Sequence, residues 1–164
     1  MVKQIVEVLI GPIGSGKSTY SRKRAKEGFI IINDDAIINA LHCNFYDLYS
    51  DELKPLYKGI ENVALHTALS LGKSVIIDRP NYSKGMRRRY IAIANSLDVP
   101  VIGVRFKDEG AEVHSSRRMK SDGRGGKQEY WEMVYNAHKG LYEEPSLDEG
   151  FNTITDAVPS DFLE

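Results

Sequence analysis

The sequence predicts an α/β fold, a three-layer sandwich in which helices cover both faces of a parallel sheet of about five strands. Short apolar runs alternate with longer segments of helical periodicity along the chain. The apolar runs are continuous rather than alternating with polar residues, which indicates strands buried on both faces. Near the N-terminus a strand, a glycine-rich loop and a helix follow one another.

The predicted strands are short apolar runs that end at glycine or at polar residues. They lie at residues 4–10, 29–32, 74–77, 99–106 and 153–158. In a parallel sheet the carboxyl ends of the strands share one edge, and ligands bind there. We therefore expect the chemical residues in the loops that follow the first four strands.

Helices are predicted between these strands, where apolar residues recur at spacings of three and four. They span 17–27, a short stretch after Asn33-Asp34-Asp35, 53–71, 83–97, and a last segment around 130–138. Asn33 or Asp34 is expected to cap the short helix. The expected inward residues are Ala36, Ile37, Ala40 and Leu41 on the short helix, and Leu53, Leu56, Ile60, Val63, Ala64, Thr67, Ala68 and Leu71 on the long one.

The length of 164 residues and a hydrophobic content of 41% predict one globular domain spanning residues 1–164. A polar stretch at 107–127 contains three arginines and, near its end, the glycines at 123, 125 and 126, which suggests a lid rather than a core element. The acidic tail at 140–164 has seven Asp and Glu and no Lys or Arg, which leaves the rest of the chain basic. That charge suits a polyanionic substrate, but a solvated tail beside an ordinary surface explains it equally well.

A cytoplasmic location is expected. The N-terminus lacks the pattern of a signal peptide, and no apolar run is long enough to span a membrane. Cys43 is the single cysteine, which fits a reducing compartment. The oligomeric state is left open.

The loop after the first strand reads Gly-Pro-Ile-Gly-Ser-Gly-Lys-Ser and matches the Walker A spacing, with the required strand before it and helix after it. Backbone N–H groups of such a loop surround phosphate oxygens, its lysine binds the β- and γ-phosphates, and its serine binds Mg²⁺. The fold class is thus the P-loop NTPase sandwich, and ATP with Mg²⁺ is the expected ligand. The expected nucleotide-binding residues are Gly11, Pro12, Ile13, Gly14, Ser15, Gly16, Lys17, Ser18 and Thr19.

Phosphoryl transfer is favoured by carboxylates at the ends of two other strands. Asp34 and Asp35 follow the second strand, where one of them can accept the proton of an attacking hydroxyl. Asp78 follows the third strand and can hold Mg²⁺ together with Ser18, or orient the acceptor. The lid arginines, Arg117, Arg118 and Arg124, can neutralise charge on the transferred phosphoryl group. A GTPase is disfavoured because the chain has no Asn-Lys-x-Asp motif.

A second basic cluster, Arg87, Arg88 and Arg89, lies at the start of a predicted helix, where the helix dipole disfavours positive charge. Either an acidic partner or an ordinary charged helix face explains it.

These residues resemble the kinase domain of phage-type polynucleotide 5′-hydroxyl kinases, within the AAA-type group of small P-loop kinases. The resemblance spans most of residues 3–140 and includes the phosphate loop, the segment Asn33-Asp34-Asp35, the run Val-Ile-Ile-Asp-Arg-Pro-Asn at 75–81, and Arg117 and Arg124. It implies that Asp35 is the general base. Members of the family typically place an arginine for the substrate three residues after that aspartate, and this chain has Ile38 there.

The sequence therefore predicts an ATP-dependent kinase with Lys17, Asp35 and the lid arginines as catalytic residues. The leading acceptor is a 5′-hydroxyl end of DNA or RNA. A nucleoside, nucleotide or other small-molecule kinase is the alternative, and an ATP-binding regulatory module without an acceptor is a third reading.

Overall fold

The computed structural model describes residues 4–121 and 126–158. Its strands are Val6–Ile10 (β1), Ile30–Ile32 (β2), Val75–Ile77 (β3), Val101–Arg105 (β4) and Thr153–Asp156 (β5). Its α-helices are Lys17–Lys26 (α1), Asp34–Leu41 (α2), Lys54–Ser70 (α3), Lys84–Ser96 (α4), Ala111–Ser121 (α5) and Gln128–Gly140 (α6). Single turns of 3₁₀-helix occur at Tyr46–Leu48, Asp51–Leu53 and Leu147–Glu149.

The five strands form one sheet of order β2-β3-β1-β4-β5, and every pair is parallel. Alternate residues of the central strand β1 point to opposite faces. Val6, Val8 and Ile10 pack with apolar residues of α3 and α4, whereas Leu9 packs with Tyr20 of α1 on the other face. The predicted α/β sandwich is confirmed, with strands slightly shorter than expected.

The inward face of α3 agrees only in part with its apolar pattern, since Ala68 is buried and Ala64 packs against the core as predicted. Leu56, Val63 and Leu71 are exposed by 48%, 66% and 70%, while Glu61 is 1% exposed. Glu61 occupies a core position because Arg79, Arg89 and the Tyr90 hydroxyl bind its carboxylate. A buried charge that is fully paired can take the place of an apolar residue, which is why the apolar pattern did not predict Glu61 at this position.

The inward face of α2 was also predicted only in part, since Ile37 packs against the core as expected. Ile38 is buried, whereas Ala36, Ala40 and Leu41 are exposed. The helix begins as expected, because the Asn33 side chain accepts a hydrogen bond of 2.9 Å from the Ala36 amide. With Asn33 as the cap, both following aspartates are left available to the site.

The stretch for which a lid was predicted is partly helical. Residues 111–121 form α5, which packs against α6, and its His114 and Ser115 are fully buried. The segment therefore contributes packed structure as well as arginines. No α-helix in residues 4–121 and 126–158 is long and apolar enough to cross a membrane.

The acidic tail is bound to the body of the protein as far as residue 158. It supplies β5, and Glu149 accepts two hydrogen bonds, of 2.7 and 2.8 Å, from the fully buried Arg87. Arg89 is paired within the chain as well, with Glu61. Two members of the basic cluster at 87–89 thus have acidic partners inside the protein.

We expect Glu149→Ala to lower the free energy of unfolding by about 3–5 kcal/mol, because it leaves the buried Arg87 charge without its carboxylate. Glu144→Ala is the matched control. It removes an exposed ion pair with Arg105, which should contribute about 0–1 kcal/mol. Urea denaturation of both variants tests this, and equal losses would contradict a structural role for the buried pair.

Candidate functional site

The phosphate loop connects β1 to α1, so its amides meet the positive end of that helix. Gly14 and Gly16 have φ of 65° and 100°, values that side chains rarely allow. A Cβ on Gly14 would also lie 2.5 Å from the His114 carbonyl oxygen of α5. The loop therefore needs glycine at position 14 both for its curvature and for the close approach of α5.

Lys17 is 8% exposed and points back into the loop. Its Nζ donates hydrogen bonds to the carbonyl oxygens of Gly11, at 2.9 Å, and Pro12, at 2.5 Å. Burial lowers the pKa of Lys17 to about 8, with Asp78 opposing and Arg118 adding to that effect. The ammonium group is thus held by weak neutral acceptors, which phosphate oxygens can replace.

Asp78 lies next to this lysine at the end of β3 and is 5% exposed. Burial raises the pKa of Asp78, while Lys17 and the side chains of Ser18 and Asn33 oppose the rise. A hydroxyl and a carboxylate are oxygen donors of the kind Mg²⁺ accepts, with phosphate oxygens and water completing the shell. The residues fit a magnesium ion that arrives with a nucleotide; residues 4–121 and 126–158 contain no group of three His, Cys, Asp or Glu able to hold an ion unaided.

The two aspartates at the start of α2 have different surroundings. Asp34 forms an ion pair of 2.8 Å with Arg79, and burial raises the pKa of Asp34 while Arg79 opposes the rise. Asp35 accepts a hydrogen bond of 2.7 Å from the Tyr46 hydroxyl, and the Arg118 guanidinium lies 3.7 Å from its other oxygen. Asp34 is thus engaged in an ion pair with Arg79, whereas Asp35 contacts Tyr46 and faces Arg118 of α5.

Two of the three predicted lid arginines reach this cleft from α5. Arg118 lies over the Trp131 ring, with its guanidinium carbon 5.0 Å from the ring centroid, as well as beside Asp35. Arg117 is half-exposed and pairs with Glu109. Arg124 lies outside the described residues.

Apart from Gly11 and Pro12, the predicted site residues of the described chain line one cleft of about 360 Å³. It contains Ile13 to Thr19 of the phosphate loop, and its wall includes Asp34, Asp35, Asp78, Arg117 and Arg118. Gly11 and Pro12 border a second cavity instead.

Sequence reasoning missed Arg22 and Arg79, which also line the cleft. Arg79 directly follows Asp78 at the end of β3. Its position at the carboxyl edge of the sheet is the sequence signal that could have identified it as a residue of the cleft. Arg79 is anchored from behind, since Glu61 and the Tyr90 hydroxyl also contact its guanidinium, at 3.3 and 3.2 Å.

The second cavity is larger, about 710 Å³, and lies between the ends of β4 and β5 and α6. Its lining includes the aromatic side chains Tyr82, Phe106, Tyr135 and Tyr142. Charged groups at its rim are paired with one another, Arg105 with Glu144 and Asp156. The candidate chemistry therefore lies in the smaller cleft, where Lys17 and the carboxylates converge.

Known proteins resemble this chain along most of its length. The model of an AAA domain family matches residues 6–145. A shikimate kinase of Streptomyces avermitilis is 27% identical over 148 residues, which cover 72% of this chain and 86% of that protein. A bifunctional polynucleotide phosphatase/kinase of Schizosaccharomyces pombe is 24% identical over 152 residues, which cover 92% of this chain and 33% of that protein.

The crystal structure of a fungal RNA kinase has the same fold. Its TM-score is 0.63 at 17% identity, and the alignment covers 95% of this chain and 76% of the other. The chain spans only a third of the polynucleotide phosphatase/kinase of S. pombe, so the likeness concerns a part of that protein. The family match, the phosphate loop and the parallel sheet agree, and this chain belongs to the AAA domain family as a P-loop kinase-like protein.

Proposed function

We propose that this protein is an Mg²⁺- and ATP-dependent kinase whose acceptor is the 5′-hydroxyl end of a polynucleotide. The observation that carries the proposal is the cleft in which Lys17, Asp78, Asp35 and Arg118 meet at the carboxyl edge of the sheet. The kinase reading is supported by the family, and the polynucleotide acceptor by the likeness to the S. pombe enzyme and by the resemblance of the site motifs.

In this proposal the phosphate loop amides and Lys17 bind the β- and γ-phosphates. Mg²⁺ bound to Ser18 and Asp78 would neutralise phosphate charge. Asp35 takes the proton from the acceptor hydroxyl while its oxygen bonds to the γ-phosphorus, and the bond from that phosphorus to the β-phosphate oxygen breaks to release ADP. Arg117 and Arg118, with Arg124, stabilise the charge on the transferred group as residues of a lid.

The contact between Arg118 and Asp35 favours binding of the nucleotide before the acceptor. The Arg118 guanidinium lies 3.7 Å from an Asp35 oxygen. Phosphate is a stronger partner for arginine than one carboxylate oxygen at that distance, so nucleotide draws Arg118 away. Asp35 is then released to the acceptor hydroxyl.

A small-molecule kinase is the second candidate. It is supported by the shikimate kinase relative and by Ile38, which is buried where the resembling family has a substrate arginine. A cytoplasmic location, from the single cysteine, suits either kinase.

The deciding experiment follows labelled γ-phosphate from ATP and Mg²⁺ to 5′-hydroxyl oligonucleotides, nucleosides, nucleoside monophosphates and shikimate. Labelled oligonucleotide supports the proposal. Transfer confined to a small acceptor would replace it with the second candidate. ATP binding without transfer to any of them would point to a regulatory module.

Nucleotide affinity should depend on pH through Lys17. The pKa of about 8 in the free protein means that the ammonium form, which phosphates require, is lost as pH rises above that value. The Kd for ATP should rise about tenfold per pH unit above about pH 8 and stay nearly level between about pH 7 and 8. Titrations at constant ionic strength measure it. Lys17→Met should bind weakly at every pH, and the same slope in that variant would assign the effect to another group.

A further inference from the structure

Arg22 of α1 lines the cleft but has no part in the transfer step proposed above. The residue is exposed on the second turn of the helix. Its side chain makes no ion pair or hydrogen bond with any other residue of the described ranges 4–121 and 126–158. An arginine in a cleft for polyanions that has no acidic partner in the described chain is available to an anionic ligand.

The described part of the cleft is lined by five cationic side chains, and the other four are already engaged. Arg79 is neutralised inside the protein, because it pairs with Asp34 at 2.8 Å and with Glu61 at 3.3 Å. An arginine held between two carboxylates offers little net attraction to a ligand.

The remaining three cations, Lys17, Arg117 and Arg118, act on the phosphates of ATP in the proposed mechanism. Arg118 lies beside Asp35 and leaves it for phosphate when the nucleotide binds. Among the described cations of the cleft, Arg22 is therefore the one left for a second anionic group.

The geometry of α1 turns Arg22 towards the side of the cleft that holds the candidate base. Ser18 and Ser21 both lie beside Asp78, where their hydroxyls oppose the rise that burial causes in the pKa of Asp78. Arg22 is four residues after Ser18, so the two side chains share one face of the helix. Asp78 ends β3, and the strand next to it at the sheet edge is β2, which leads to Asp35. Arg22 thus lies on the side of the phosphate loop where the acceptor hydroxyl is proposed to enter.

The position that supplies a substrate arginine in the resembling family is closed here. Ile38 is 3% exposed and belongs to the core, so it does not contact an acceptor. A strand whose 5′-hydroxyl lies at Asp35 brings its first backbone phosphates into the same cleft. Arg22 supplies a positive charge for them from α1 rather than from α2.

We infer that Arg22 binds a backbone phosphate near the 5′ end of the acceptor strand while the 5′-hydroxyl lies at Asp35. The inference rests on the proposed polynucleotide kinase function. A guanidinium group and a phosphate form two parallel N–H···O bonds, and backbone phosphates carry no base identity. Arg22 therefore selects a strand over a nucleoside without selecting a base sequence.

The test compares the wild-type protein, Arg22→Gln and Lys26→Gln with two acceptor strands of one sequence. One is a short single-stranded 5′-hydroxyl oligonucleotide, and the other has neutral methylphosphonates at its first two linkages. We expect Arg22→Gln to raise the KM of the ordinary strand about fivefold, the loss of one charge-assisted contact, and to leave the KM of the neutral strand unchanged. With the wild-type protein the neutral strand should already have a KM raised by at least that factor.

Lys26→Gln is the matched control. Lys26 is exposed one turn further along α1 and does not line the cleft, so the variant loses the same charge and should not distinguish the two strands. The kcat and the Kd for ATP should stay within about twofold of wild type in both variants, which excludes general damage.

Ionic strength gives an independent measurement. One phosphate contact to a single strand contributes about 0.7 to the slope of log affinity against log salt concentration. The slope of log KM for the ordinary strand should therefore fall by about 0.7 in Arg22→Gln and stay near the wild-type value in Arg22→Lys, which keeps the charge.

An equal rise in KM for both strands, or no rise for either, would overturn the inference while leaving the proposed function intact. A higher Kd for ATP with an unchanged KM for the ordinary strand would assign Arg22 to the nucleotide and overturn the inference as well. Absence of transfer to any oligonucleotide by the wild-type protein would overturn the proposed function and, with it, this inference.

Discussion

Lys17→Met is expected to reduce kcat/KM for phosphoryl transfer by about 10³-fold. Methionine keeps the buried apolar stem and removes the charge that binds the β- and γ-phosphates. The free protein should not lose stability, because burial already disfavours the Lys17 ammonium, as the lowered pKa of about 8 indicates. Steady-state kinetics with the acceptor found in the transfer panel measures the effect.

Lys26→Met is the control for this prediction. Lys26 is exposed at the last turn of the same helix and should give nearly wild-type kinetics. Thermal denaturation shows whether both variants are folded. A folded Lys17→Met variant that retains transfer would contradict the proposed role of Lys17 in binding the β- and γ-phosphates.

Asp35→Asn is expected to lower kcat by about 10²- to 10⁴-fold, with the Kd for ATP changed by less than about twofold. The amide has nearly the same shape as the carboxylate but does not accept the proton of the attacking hydroxyl. Asparagine also still accepts the hydrogen bond from Tyr46, so the turn at 46–48 should stay in place. Single-turnover transfer and ATP titration separate the two quantities.

Asp34→Asn is the matched control, one residue away on the same helix. It breaks the 2.8 Å ion pair with Arg79 and is expected to affect stability more than kcat. If Asp34→Asn abolished transfer while Asp35→Asn did not, the two aspartates would exchange roles. Measuring both variants therefore decides which aspartate is the general base. The residue pattern left this open, and only the family resemblance favoured Asp35.

The alternation of apolar runs and helical segments predicted the sheet, because strands buried on both faces must be continuously apolar. The position of the phosphate loop between β1 and α1 was predicted correctly, because its glycines, its lysine and the flanking elements form a pattern of near neighbours in the chain. Residues at strand ends were expected to meet, and Lys17, Asp35 and Asp78 do line one cleft. All of these follow from spacing along the chain.

The features that the sequence did not predict depend on ion-pair and hydrogen-bond partners that lie far away along the chain. Glu61 is buried because it pairs with Arg79 and Arg89, which lie on other elements, so a charged residue belongs to the inward face of α3. In the sequence Arg87 resembles an ordinary surface charge, but in the structure it is buried and pairs with Glu149 of the acidic tail. Likewise, Asp34 and Asp35 look alike in sequence and acquire different surroundings from Arg79 on one side and Tyr46 and Arg118 on the other. Charge pairing across the fold has no local signature, whereas hydrophobic period and loop glycines do, and that difference explains which features needed the three-dimensional structure.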